Sequence, residues 1–134
     1  TSAVSVLFNY AYTDAKVTED DAIPVGDRLR AVPKHSGRLA ARYRFSGGGL
    51  AGLEIGAGVT AVSRRELTLP NTLAVDSSAL VDAQVTYPIG PVKAGLSVTN
   101  LFGSGAYEPY QYFGGTYVTA TQPRSAYITL RTQF

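Results

Sequence analysis

From Arg124 to Phe134 the chain alternates, with Ala126, Ile128, Leu130 and Phe134 on even positions and Ser125, Tyr127, Thr129, Arg131 and Gln133 on odd ones. Successive side chains of a strand point to opposite faces, so this stretch is predicted to be a strand with one apolar and one hydrogen-bonding face. A large apolar group at the frayed end of a strand is poorly placed in water and well placed in lipid.

The same alternation recurs in five earlier stretches, at about 3–13, 37–45, 50–62, 79–87 and 92–102. Leu7 and Leu80 fall on the wrong parity. Every charge within a predicted strand (Arg38, Arg42, Arg44, Glu54, Asp82, Lys93, Arg131) falls on the polar parity. Connections alternate long and short. Ser46-Gly47-Gly48-Gly49 and Pro88-Ile89-Gly90-Pro91 read as tight turns, while Asp14 to His35, Ser63 to Ser78 and Gly103 to Gln122 read as long loops. Antiparallel hairpins follow, with short turns at one end and long loops at the other.

A soluble up-and-down barrel shows the same period with its faces exchanged. Lipid is favoured because mid-strand apolar positions are small or medium (Ala41, Ala57, Ala83, Leu96), whereas rings gather near strand ends (Tyr10, Tyr12, Tyr43, Phe45, Tyr87, Phe102, Phe134). Aromatic girdles at two membrane interfaces produce that distribution. A charge facing the bilayer midplane costs about 2–4 kcal/mol, and each strand avoids it. Six strands do not close a membrane barrel, and an open edge in lipid leaves backbone groups unpaired, so these strands are expected to belong to a wider barrel.

Composition removes other classes. With no Cys among 134 residues, disulfide frameworks and thiolate metal sites are excluded. The absence of Met and the start at Thr1 lead us to expect a portion of a longer protein. No run reaches the roughly 18 apolar residues of a spanning helix. A net charge of +2 gives no reason to expect a nucleic-acid partner. Gly47-Gly48-Gly49-Leu50-Ala51-Gly52 matches G-x-G-x-x-G, but a strand follows it, so no helix N-terminus meets a pyrophosphate. The single histidine, His35, adjoins Ser36 on extended chain, where neighbours point apart; no hydrolytic triad and no enzyme is expected. Glu19-Asp20-Asp21 lacks calcium-loop spacing and reads as a solvated loop, so no metal site is predicted.

Five short motifs occur in order: Asn9-Tyr10-Ala11-Tyr12-Thr13-Asp14-Ala15; Gly26-Asp27-Arg28-Leu29 leading to Val32-Pro33-Lys34-His35-Ser36; Leu80-Val81-Asp82-Ala83; Val98-Thr99-Asn100-Leu101-Phe102; and Gln122-Pro123-Arg124. Together they resemble the carboxy-terminal barrel segment of TonB-dependent siderophore receptors. The resemblance implies an all-β, antiparallel up-and-down transmembrane barrel segment, the last six strands of a barrel of about 22. Residues 1–134 would then be one barrel portion in the bacterial outer membrane, with the plug domain and earlier strands lying outside it.

The implied activity is import of ferric siderophores, driven by TonB acting through the plug, with no covalent cofactor. The competing expectation is a porin-like or structural outer-membrane barrel without a plug. Ligand contacts are expected in the long loops at Arg64, Arg65, Tyr110, Tyr112 and Phe113. Arg38, Arg42, Arg44, Glu54, Asp82 and Arg131 are expected to line the lumen and face the plug. Ile128, Leu130, Thr132 and Phe134 share the apolar parity, and the resemblance implies that the barrel-assembly machinery reads this ending. Outer-membrane lipid and lipopolysaccharide are the remaining expected partners.

Overall fold

A computed structural model describes residues 3–132. They form β1 (Val4–Tyr12), β2 (His35–Arg44), β3 (Glu54–Val62), β4 (Arg65–Glu66), β5 (Ala74–Val75), β6 (Ser78–Ile89), β7 (Val92–Thr99), β8 (Tyr107–Tyr112), β9 (Gly115–Ala120) and β10 (Ser125–Thr132). One six-stranded antiparallel sheet runs β1-β2-β3-β6-β7-β10, an up-and-down meander of the six predicted strands. Each is 8 to 12 residues long, near the roughly 9–11 residues with which a tilted strand crosses a hydrocarbon core.

Register aligns the two faces across the whole sheet. Val6, Ala41, Ala57, Ala83, Val98 and Ala126 form one continuous apolar row; Val4, Tyr43, Ile55, Val85, Leu96 and Ile128 form the next. No second layer covers this face among the described residues: Phe8 is 72% exposed and Ile128 80%. In water such a continuous apolar surface is a severe liability; in hydrocarbon it is the solvated side. Tyr10, Tyr12 and Phe102 stand at its long-loop end, and Tyr43, Phe45 and Tyr87 at its short-turn end. From Tyr12 to the position opposite Tyr43 is eight residues of strand, about 27 Å along its axis and about 19–22 Å in height at the tilt of a membrane barrel, which fits within a lipid-facing band of about 25 Å. Phe134 lies outside the described residues. Leu7 and Leu80 remain on the polar parity, opposite Ala40 and Thr60.

Several boundaries differ from expectation. The first short connection is not a four-residue glycine turn. Phe45 N–H donates to Leu53 O, Gly52 N–H donates to Phe45 O, and a 3-10 turn at Gly48–Leu50 lies between, so β3 starts at Glu54 rather than Leu50. β6 runs through Pro88 to Ile89, leaving Gly90 (φ +57°) and Pro91 to reverse the chain. β7 stops at Thr99 because Asn100 adopts φ +49°, a left-handed conformation that asparagine tolerates. The second and third long connections carry hairpins, β4–β5 and β8–β9, that alternation did not predict.

The first long connection is also ordered by its own polar groups. Lys16 bridges to Arg28, Val17 N–H donates to Asp27 O, and Leu29 N–H donates to Ala15 O. Asp14 pairs with Lys16 (3.1 Å) and Arg28 (2.9 Å), and these cations, Lys16 foremost, hold its carboxyl below the ordinary value of 3.8. Asp20 accepts from the Ala22 and Ile23 N–H groups, which likewise lower its carboxyl. The acidic cluster thus works as a side-chain-capped turn.

On the polar face, glycines make room for long side chains. Arg38 on β2 reaches over β3, donating to Thr60 Oγ1 (2.6 Å) and to Asp82 Oδ2 on β6 (3.2 Å). A Cβ at Gly58 would lie 3.0 Å from Arg38 Nη2 and 3.0 Å from the Ala40 Cβ. We predict that Gly58→Val lowers unfolding stability of the assembled protein by about 1.5–3 kcal/mol, the range for disrupting a charge-assisted bond. The part of that loss owed to Arg38 disappears in an Arg38→Ala background, the contact with the Ala40 Cβ remaining; equal losses in both backgrounds would contradict the account. A second prediction concerns pH. Both depressed carboxylates contribute order that is complete above about pH 4 and lost as pH falls through their folded-state values. Pulse hydrogen exchange of residues 13–34 is expected to be flat from about pH 7 to 5 and to lose protection below about pH 4, and Asp14→Asn with Asp20→Asn should abolish the step.

Candidate functional site

Two regions concentrate chemistry: the wall of charged side chains on the polar face and the assembly of long connections above it. Along the wall, Glu54 is 6% exposed and receives Arg44 (2.6 Å), Lys93 (3.0 Å) and Arg42 (3.5 Å). Further along, Arg38 pairs with Asp82, whose other oxygen accepts from the Asn100 N–H (3.1 Å). Arg131 stands opposite Lys93 in the β7–β10 register. The expected row of Arg38, Arg42, Arg44, Glu54, Asp82 and Arg131 therefore lies on one face of the sheet, and Lys93 belongs with it.

Asn100 is the residue whose role only the structure reveals. It is 4% exposed; its Oδ1 accepts from Ser104 N–H and its Nδ2 donates to Ser104 O (2.9 Å each). The side chain thereby fixes the exit from β7, and the backbone N–H of the same residue, through Asp82, ties the third long connection to the wall. The Val-Thr-Asn-Leu-Phe motif contained that signal without its mechanism.

The three long connections interlock. Asn71 Oδ1 accepts from Arg28 N–H (2.6 Å), its N–H donates to Asp27 (2.9 Å) and its Nδ2 donates to Arg28 O (2.9 Å). Ala31 N–H donates to Glu66 O (2.9 Å). Arg65 is buried, paired with Glu108 and donating to Tyr107 O (2.7 Å). Its guanidinium joins two hairpins; it does not face solvent as expected of a ligand contact. Sequence could not show this, because the partner lies 43 residues away.

Arg64, by contrast, is 63% exposed beside Glu66. Tyr110 and Tyr112 share one face of the β8–β9 hairpin with Tyr117, the Tyr110 and Tyr117 rings lying 5.7 Å apart. Phe113 sits at the hairpin tip, 92% exposed, with φ +46°. With Gly114 at φ +76° it makes a two-residue turn that needs both centres left-handed, where Asn-Gly is the usual choice. A bulky ring there is strained. Beside the hairpin, Leu29, Arg30, Leu67, Leu69, Tyr110 and Gln111 wall a cavity of about 400 Å³. With its amide oxygen turned to Arg30, Gln111 accepts from that guanidinium at 2.7–3.0 Å. Among the described residues no three His, Cys, Asp or Glu side chains converge as metal ligands.

Comparison with known proteins agrees with this architecture. Residues 2–101 match the family model described as TonB dependent receptor-like, beta-barrel. The chain is 34% identical over 132 residues to the metal-pseudopaline receptor CntO of Pseudomonas aeruginosa, covering 97% of this chain and 18% of that protein. It is 36% identical over 106 residues to the ferrichrome outer membrane transporter/phage receptor of Escherichia coli, covering 75% of this chain and 14% of that protein. The siderophore receptor PiuA from Acinetobacter baumannii superimposes with a TM-score of 0.81 at 22% identity, over 97% of this chain and 19% of that one. The chain thus spans less than a fifth of the length of these relatives. It belongs to the TonB-dependent receptor-like β-barrels of the bacterial outer membrane.

Proposed function

We propose that this chain is the carboxy-terminal barrel portion of a receptor that imports a metal–chelator complex, in the first instance a ferric siderophore, without covalent chemistry. The names of the relatives in Pseudomonas aeruginosa and Escherichia coli support a chelated metal as cargo. Energy would come from TonB acting through a plug domain encoded outside these residues. The long connections would face the exterior and the charged wall the lumen, as in outer-membrane barrels generally. Outer-membrane lipid and lipopolysaccharide would solvate the apolar face, and the barrel-assembly machinery would engage the strand carrying Ile128, Leu130 and Thr132.

The observation that carries the reading is Phe113: a ring held exposed, in a strained conformation, at the tip of an aromatic hairpin. Folding alone favours Asn or Gly there, so a strained, exposed ring at that tip supports contact with something large and partly apolar. Tyr110, Tyr112 and Arg64 would extend that contact, with Arg65 acting indirectly by holding the hairpin through Glu108. The strand total of the complete barrel, about 22 on this reading, remains part of the proposal.

The test uses the full-length receptor in an iron-starved strain lacking its own copy. Phe113→Asn should relieve backbone strain, leave outer-membrane abundance unchanged or higher, and weaken binding of the imported ferric chelate about tenfold or more, as loss of an interface anchor does. Unaltered affinity and uptake would remove the hairpin from the ligand site. Uptake that proceeds by passive conductance, indifferent to loss of TonB, would favour a porin-like barrel instead.

A further inference from the structure

The aromatic girdle at the long-loop end of the apolar face is interrupted. β1 carries Tyr10 and Tyr12 there, but the positions aligned with Tyr10 on β2, β3 and β6 are Gly37, Ala61 and Ala79. With Phe8 and Leu39 on the row below, they line an apolar groove of about 640 Å³. The outer end of this groove is polar and cationic. His35 stands directly opposite Tyr12, the two rings lie 5.3 Å apart, and Tyr10 Oη lies 2.7 Å from His35 Nδ1. With the phenol donating, the imidazole proton sits on Nε2 and is left for an outside acceptor. Lys34 Nζ lies 5.7 Å from the centre of the Tyr12 ring, a cation held over an aromatic face. Among the described residues Lys34 forms no ion pair, the carboxylate of Asp14 being taken by Lys16 and Arg28. Lys34 and His35 are both exposed.

We propose that the groove and the cluster above it hold one phosphorylated acyl lipid of the outer leaflet, as a structural ligand that clamps the first long connection. An apolar groove that runs into a cationic cluster fits an amphiphile, and phosphate is the headgroup anion that an ammonium and an imidazole N–H serve by charge-assisted hydrogen bonds. Free phosphate would leave the groove unfilled, and a neutral lipid would leave Lys34 without a counter-ion. The position gives the lipid its consequence. Tyr12 closes β1, Lys34 and His35 lead into β2, and Thr13 N–H donates to Lys34 O, so a phosphate on Lys34 and His35 sits across both ends of residues 13–34. Asn71 joins that connection to the second through Arg28 and Asp27. Bulk lipid that merely solvates the face has no such effect. The inference rests on the outward orientation of the apolar face and not on the identity of the cargo, so loss or retention of uptake in hairpin variants leaves it untouched.

The experiment titrates the full-length receptor, delipidated in neutral detergent, with bisphosphorylated lipid A and with the same lipid stripped of its phosphates, and follows adducts by native mass spectrometry. The expected result is one saturable adduct, about tenfold or more tighter with the phosphates than without them. Lys34→Gln combined with His35→Gln should bring the phosphorylated lipid down to the affinity of the stripped one. Ala61→Phe fills the groove without touching the cations and should weaken the adduct about tenfold, through lost burial of methylenes. Hydrogen exchange of residues 13–34 should slow on addition of lipid A to the parent receptor and stay unchanged in the Lys34→Gln, His35→Gln receptor. Heat-modifiable mobility of each variant reports that the barrel has assembled. Equal affinity for stripped lipid, an unchanged adduct in the assembled double variant, or lipid A that binds without slowing exchange in residues 13–34 would overturn the proposal. Inorganic phosphate that displaces lipid A at equal concentration would overturn the part given to the groove. A spin label at Ala61 that lipid-dissolved oxygen fails to reach in bilayers would overturn the outward orientation, and the proposal with it.

Discussion

A backbone that crosses hydrocarbon must pair every N–H and C=O within the protein, and antiparallel strands do this only when their registers agree. Here that constraint links five successive pairings, the first of which sets Val6 opposite Ala41. Ala41 fixes Ala57, which fixes Ala83, then Val98 and Ala126, so a single row is set by the whole sheet. A slip of one residue anywhere would put Arg38 or Glu54 onto the apolar face and Leu39 or Ile55 onto the polar one. At about 2–4 kcal/mol for a single basic residue near the midplane, the alternative registers are strongly disfavoured. The outer edges of β1 and β10 have the same requirement, and strands beyond these residues would have to meet it.

Because the apolar face cannot supply a protein core, cohesion must come from strand pairing and from the polar face. Few of the described residues are buried, and beside Val75 and Ala106 they include three polar or charged ones, Glu54, Arg65 and Asn100. Each joins parts far apart in sequence. Glu54 gathers cations from β2 and β7, Asn100 with Asp82 ties the end of β7 to β6, and Arg65 couples the β4–β5 and β8–β9 hairpins. Removing Glu108 would leave the buried Arg65 guanidinium without its carboxylate, which is far more damaging than the net worth of the pair. The glycines of β3 belong to the same design, since Arg38 crosses the sheet only where Gly58 presents no side chain.

The six strands were legible because lipid and lumen impose opposite chemistry with period two, and that signal is written locally. Their assignment to a membrane face was legible from Ala41, Ala57 and Ala83 at mid-strand and from Tyr43 and Tyr87 at the ends. What alternation missed depends on contacts distant in sequence. The β8–β9 hairpin contains Pro109 within a strand and an aromatic at its turn, both contrary to local propensity, so Tyr110 and Tyr112 read as irregular loop. Arg64 and Arg65 are indistinguishable by type; only the fold turns one outward and buries the other against Glu108. Phe45 and Leu53 close the first short connection through backbone bonds that no side-chain pattern announces.

Solvent partitioning along β10 tests the central claim most directly. Single spin labels at Tyr127, Ile128, Thr129 and Leu130 in the full-length receptor, reconstituted in bilayers, report collision with oxygen dissolved in lipid and with a water-soluble relaxing agent. The account predicts strict alternation, with labels at Ile128 and Leu130 reached from lipid and those at Tyr127 and Thr129 shielded from it. Uniform accessibility along the strand, or alternation of the opposite phase, would contradict it.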